Sequence, residues 1–183
     1  MKSEDQEKNP AARVKLDNGA EATLRPLSVA DGEALAEFYS QVPRQDVRFY
    51  FPHPLDRAHA LSNASRADSP LEVVIVLATP RGRIAGYAWY RWQDGDEISR
   101  FGICIRPDHQ GLGAGRALME RICRIARAVG PPVISLTVQK ANRRAIALYK
   151  RMGFRIVRSQ MRGPIEAHGF PSEPEYYMER QAR

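Results

Sequence analysis

The chain has 183 residues, 43% hydrophobic and 27% charged, which is enough apolar material for one core without a disulfide framework. Its longest unbroken apolar run, Val73 to Ala78, is six residues, far short of the roughly 20 needed for a membrane-spanning helix. Lys and Arg outnumber Asp and Glu by 28 to 21, a formal charge of +7, which bears on solubility and partners and not on fold.

Residues 1–12 are polar and without periodicity, so a disordered leader is expected there and one domain over residues 13–183. The first ten residues carry Lys2, Glu4, Asp5, Glu7 and Lys8 and no apolar stretch, unlike a secretory signal. Val14-Lys15-Leu16, Asp17-Asn18-Gly19 and Ala22 to Arg25 read as strand, tight turn and strand, stopped by Pro26. Asp31 is a possible cap for a helix over Gly32 to Ser40, with Leu35, Phe38 and Tyr39 facing inward. The aromatic cluster Phe49-Tyr50-Phe51 precedes Pro52 and Pro54, and a helix is predicted over Ala58 to Ala67.

From Glu72 the pattern turns to strand. Glu72 to Ala78, Ile84 to Trp92 and Glu97 to Ile105, with turn residues at each junction, form an antiparallel meander. Leu118, Ile122, Ile125 and Val129 mark the buried stripe of a long helix ended by Gly130, with Arg116, Arg121, Arg124 and Arg127 off that stripe. Val133 to Val138 is a strand, Asn142 caps a helix reaching about Met152, and Phe154 to Arg158 and Tyr176 to Met178 are strands. The order predicts an α/β (α+β) domain: a single mixed, mostly antiparallel twisted sheet with helices on both faces.

The segment Ile105 to Arg116 joins a strand end to a helix through Gly111, Gly113 and Gly115. Glycines let the backbone approach a ligand, and a helix start adds unpaired N–H donors and partial positive charge, together a cradle for phosphate. Gly115 is followed by Arg116 and Ala117, so the Gly-Lys-Ser/Thr of a P-loop is missing. The third small residue of a dinucleotide fingerprint is replaced by Arg116. Residues 140–162 hold Lys140, Arg143, Arg144, Lys150, Arg151, Arg155, Arg158 and Arg162 and no acid, a field that also expects an anion.

Here the sequence resembles the GNAT superfamily of acyl-CoA-dependent N-acetyltransferases. Gln110, Gly113 and Gly115 match its Gln/Arg-x-x-Gly-x-Gly/Ala signature, with Pro107 upstream; Asn142, Ala145, Leu148, Tyr149 and Gly153-Phe154 match a second block. Together the blocks cover residues 98–157. The resemblance implies a sheet with splayed central strands and acetyl-CoA as the acyl donor. It further implies transfer to a primary amine of a small molecule or of a peptide or protein, by direct attack in a ternary complex. It places Ile103, Cys104, Ile105, Gln110, Gly111, Leu112, Gly113, Ala114, Gly115, Arg116, Asn142, Ala145, Tyr149 and Lys150 against coenzyme A. Backbone groups of Ile103 and Ile105 would pair with the pantetheine arm, and Tyr149 would protonate the departing sulfur.

Cys104 reads as a small buried strand residue and not as a nucleophile. Glu97, at the start of the strand leading to the acyl site, is the carboxylate put forward as general base; a solvated turn position is the plainer reading. Phe49, Tyr50 and Phe51 are put forward for the acceptor pocket, with core packing as the alternative. Asp94, Asp96 and Glu97 could attract a cationic amine. His53, His59, His109 and His168 show no metal spacing, so no metal is expected. Two thiols fit a reduced cytoplasm, with no membrane association and a monomer or homodimer. A catalytically silent acyl-CoA-binding module and, last, a nucleic-acid-binding protein are the competing readings.

Overall fold

The computed structural model describes residues 9–183, so most of the expected leader lies outside the described residues. Of its last residues, Ala12 opens a strand, and the Pro10 carbonyl accepts a hydrogen bond from Arg121 at 2.5 Å.

Eight strands form one sheet: β1 (Ala12–Lys15), β2 (Glu21–Pro26), β3 (Glu72–Ala78), β4 (Ile84–Arg91), β5 (Ile98–Ile105), β6 (Val133–Gln139), β7 (Arg155–Arg162) and β8 (Glu173–Gln181). They lie in the order β1-β2-β3-β4-β5-β6-β8-β7. All neighbours are antiparallel except β5 and β6. β8 inserts between β6 and β7, so the link from β6 to β7, residues 140–154, passes over the position of β8, and β7 and β8 form an antiparallel hairpin.

Helices cover both faces. On one lie α1 (Gly32–Ser40), α2 (Arg44–Val47) and α3 (Arg57–Ser65); on the other lie α4 (Ala114–Ile125) and α5 (Arg143–Arg151). Strand alternation explains the two cores. Val73, Ile75 and Leu77 of β3 meet Leu118, Met119 and Ile122 of α4, while Val74 and Val76 meet Leu35 and Phe38 of α1. β3 is buried on both faces, hence its unbroken apolar run.

Three expectations are corrected. Asp31 does not cap α1; its carboxylate takes two 2.7 Å bonds from Arg25 and one from the Ser28 N–H, closing a capping box on the preceding turn. Arg121 is buried, because its side chain reaches the chain segment lying beside the helix. The long helix ends at Ile125, so Val129 packs on the core from the turn after it.

The relation between β5 and β6 positions the site. Their pairing covers only Ile98↔Val133, Ser99↔Ile134 and Arg100↔Ser135. Beyond it the strands part, β5 held by β4 as far as Gly86↔Ile105 and β6 by β8 as far as Gln139↔Glu175.

Candidate active site

The splay leaves backbone groups facing a gap. Arg106 donates its N–H to the Ala85 carbonyl at 3.0 Å, so the even-numbered residues of β5 bond to β4. The Glu97 carbonyl accepts from Val133, which turns the odd-numbered ones toward β6. Ile103 and Ile105 therefore direct their peptide groups into the gap. The Ile105 carbonyl is taken by the Gln110 side chain at 3.0 Å, which leaves its N–H and both polar groups of Ile103 aimed at the opening.

The glycine turn follows directly. Gly111 and Gly113 have φ of 81° and 80°, a left-handed conformation that disfavours any side chain. Gly113 is the N-cap of α4 without a side-chain hydrogen bond, so the first N–H groups of the helix have no intrahelical partner. A Cβ at Gly113 would stand 2.9 Å from Asp17 Oδ1, and one at Gly115 would stand 3.1 Å from Leu148 Cδ2. Gln110 ties the turn to both flanking elements, since its Oε1 also accepts from Arg144 at 3.2 Å. Asn142 caps α5 through the Ala145 N–H at 3.1 Å, as predicted.

A cleft of about 610 Å³ runs along this turn and into the gap. Of the residues expected against coenzyme A, it is lined by Ile103, Cys104, Ile105, Gln110, Gly111, Gly113, Gly115, Arg116, Asn142, Ala145 and Tyr149. Ala114 is buried, while Leu112 and Lys150 stand outside the lining and Lys150 is exposed. Sequence reading missed Asp17, Asp46, Thr137, Arg151 and Met152. Asp17 comes from the β1–β2 hairpin, which its N–H anchors to the Leu112 carbonyl at 3.0 Å; no local signal in the sequence predicts that contact.

Tyr149 is buried at the inner end of this cleft, in edge contact with Phe101 and packed on Phe154. Burial, and then the neighbouring Cys104, raises its phenol above the ordinary tyrosine range, so the hydroxyl is neutral at ordinary pH. Burial pushes the Cys104 thiol up to about 12, which keeps it uncharged at neutral pH.

A second cleft, about 550 Å³, opens from the other side of the sheet. Phe49, Tyr50, Ile103, Thr137 and Tyr149 line both clefts, so the two meet where β5 and β6 part. All of Phe49, Tyr50 and Phe51 line the second one. The Tyr50 hydroxyl accepts from Trp89 Nε1 at 2.9 Å, and Trp89 crosses β5 at Gly102, where a Cβ would come within 2.4 Å of the indole. Two loops roof this cleft. Arg48 and Arg162 both bind Glu173, and Arg44 donates to the His168 carbonyl at 2.8 Å. The hydrogen bond from Arg48, with that from Arg162, holds the Glu173 carboxyl below its ordinary range.

Glu97 is not brought to the site. It is exposed just before β5, at the closed end of the splay, and lines neither cleft. Six residues of strand, about 20 Å, separate it from Ile103. Asp94 and Asp96 lie in the same exposed turn. Among the described residues no cluster of His, Cys, Asp and Glu is arranged to hold a metal ion, and no helix is long and apolar enough to cross a membrane.

A sheet that splits beside an uncapped glycine helix start, with a cleft on either side of the split, defines a two-substrate transferase fold. The acetyltransferase (GNAT) family model matches residues 34–154, more than half of the chain, and the chain belongs to that family. It is 25% identical over 142 residues to the L-methionine sulfoximine/L-methionine sulfone acetyltransferase of Pseudomonas aeruginosa, covering 74% of this chain and 81% of that one. It is 32% identical over 87 residues to the mycothiol acetyltransferase of Propionibacterium freudenreichii, but that match spans 46% of this chain and only 28% of the relative. The structure of yncA from Salmonella typhimurium with acetyl-CoA superposes with a TM-score of 0.73 at 23% identity, covering 88% of this chain and 94% of that one. The acyl donor of the family is acetyl-CoA, and the glycine turn and the gap beside β5 have the open backbone and unpaired donors that it requires.

Proposed function

We propose that this chain transfers an acetyl group from acetyl-CoA to the primary amine of a small molecule, by direct attack with both substrates bound. The observation that carries this is the end of β5–β6 pairing at Arg100↔Ser135, beside the uncapped start of α4. Bound there, acetyl-CoA supplies an acyl group already activated as a thioester. The N–H groups at Gly113 to Arg116 hold the diphosphate, and Arg144 and Arg151 add positive charge to the same cleft. Peptide groups of Ile103 and Ile105 orient the pantetheine arm, and an N–H of this strand polarises the acyl carbonyl. Tyr149, neutral and buried where the clefts meet, gives its proton to the sulfur.

The acceptor occupies the second cleft, against Phe49, Tyr50 and Phe51. A small-molecule acceptor is supported by the Pseudomonas relative, whose name specifies an amino-acid derivative. Glu97 has no role in this scheme. The two cysteines are free and buried, in keeping with a reducing cytoplasm.

The test is thiol release from acetyl-CoA across an amine panel. Turnover on at least one amine is expected, with Tyr149→Phe lowering kcat about 100-fold and leaving acetyl-CoA affinity within about threefold, because the ring packing is retained. Acetyl-CoA binding without thiol release on any amine would make the chain a silent binding module instead.

A further inference from the structure

The second cleft has a charge pattern that an unadorned amine does not explain. Its lining holds Arg48, Arg100 and Arg162, with Glu175 as the one carboxylate. Arg48 and Arg162 share Glu173, which stands behind the lining, so the pair retains one net positive charge. Arg100 has no acidic partner among the described residues, and its side chain shares the sheet face of Gly102 on the floor of the cleft. An unpaired guanidinium beside a further cationic pair presents donors that match a carboxylate. An acceptor carrying only an ammonium group would be repelled by that field.

Glu175 complements the arginines. It is buried, on β8 opposite Gln139, and accepts a hydrogen bond from Gln160 Nε2 at 2.8 Å. No cation neutralises it among the described residues. A buried carboxylate without an ionic partner favours a positive charge arriving with the ligand. The register sets the two ends apart: Arg100 lies opposite Ser135, and Glu175 opposite Gln139, four residues further along β6. That is about 13 Å along the strands, and two strand spacings of about 5 Å lie across them, a backbone separation of about 16 Å that the Arg100 and Glu175 side chains shorten from either end. Thr137, which lines both clefts, lies between.

Resting on the acetyltransferase reading above, we infer that the acceptor is an amino carboxylate with an apolar side chain: its carboxylate binds Arg100, and Glu175 takes the proton its ammonium group must lose. The nitrogen lone pair then forms the bond to the acyl carbon as the carbon–sulfur bond breaks. That first proton leaves nitrogen for Glu175, directly or through one water, before attack and passes from there to solvent; the sulfur receives a proton from Tyr149, and the second proton that nitrogen sheds as the amide forms returns through water to the Tyr149 phenolate. The aromatic walls at Phe49, Phe51 and Trp89 take the apolar side chain.

The experiment compares kcat/KM for phenylalanine, methionine and leucine with that for their amides and for the decarboxylated amines, phenylethylamine among them. The free amino acids are expected to lead their amides by about 10- to 100-fold, the range of a charge-assisted contact. Arg100→Gln is expected to collapse that ratio to within about threefold through KM, and Glu175→Gln to lower kcat about 100-fold with KM for acetyl-CoA held. Glu175→Asp should recover part of the loss, which a role confined to packing would not produce. Equal turnover of amino acids and amides, or an unchanged ratio in Arg100→Gln, would overturn the inference and leave the acetyltransferase reading standing. No thiol release with any amine would overturn that reading, and this inference with it.

Discussion

The Ser135 hydroxyl donates to the Ser99 carbonyl at 2.6 Å, and the Ser99 hydroxyl donates back across the same joint to the Val133 carbonyl at 2.9 Å. Both serines are buried. This reciprocal pair fastens β5 to β6 at the end where they touch, and so fixes where the gap begins. Each bond replaces water with a partner inside a dry joint, and losing one is expected to cost about 1 kcal/mol. Ser99→Ala and Ser135→Ala should each lower the urea midpoint with an unchanged m value, and a cycle with the double mutant should show them coupled. Two fully additive substitutions would contradict a shared joint.

Asp17 places a carboxylate beside the proposed diphosphate site, close enough to Gly113 that a Cβ there would touch it. Arg116 only partly offsets that charge, at 3.4 Å and with both side chains exposed. Asp17→Asn is expected to tighten coenzyme A about two- to fivefold at low salt, and the gain should shrink as salt is added. Weaker binding in that variant would mean that the carboxylate organises the turn instead.

Tyr149 must be neutral to act as an acid, and its pKa is raised by burial. A raised pKa moves loss of the neutral form to higher pH, so this group should impose no fall in kcat below about pH 10. Measured at saturating substrates, a descending limb below that point that disappears in Tyr149→Phe would contradict the assignment.

The Cys104 thiol is buried and stays protonated up to about pH 12. Since the thiolate is the reactive form, an aromatic disulfide reagent at pH 8 should leave it unmodified in the folded protein and react with it in urea. Rapid stoichiometric reaction at that position in the native state would show that the β5 strand opens readily.

What the sequence made legible was local chemistry. The positive φ at Gly111 and Gly113 and the Asn142 cap on α5 are properties of a few adjacent residues, and they sit where the pattern put them. Glu97 misled because strand direction alone does not say which end of β5 parts from β6; that depends on a parallel pairing, Ile98↔Val133 to Arg100↔Ser135, with a strand beyond the whole of α4. Glu175 stayed hidden for a related reason. It reaches the second cleft only because β8 enters between β6 and β7, a topology no short pattern encodes. Arg121, held by Pro10 from 111 residues away, and Asp31, taken by Arg25 six residues back, show a third limit, where one specific partner overrides the ordinary preference of a charged residue.

Backbone donors at the start of α4 are proposed to grip a diphosphate, and calorimetric titration with coenzyme A measures that grip. Saturable binding to the wild-type protein is expected, with loss of at least about tenfold in affinity in Gly113→Asp, where a side chain and a negative charge enter a left-handed position beside Asp17. No heat of binding in the wild type, or equal affinity in the two proteins, would contradict it.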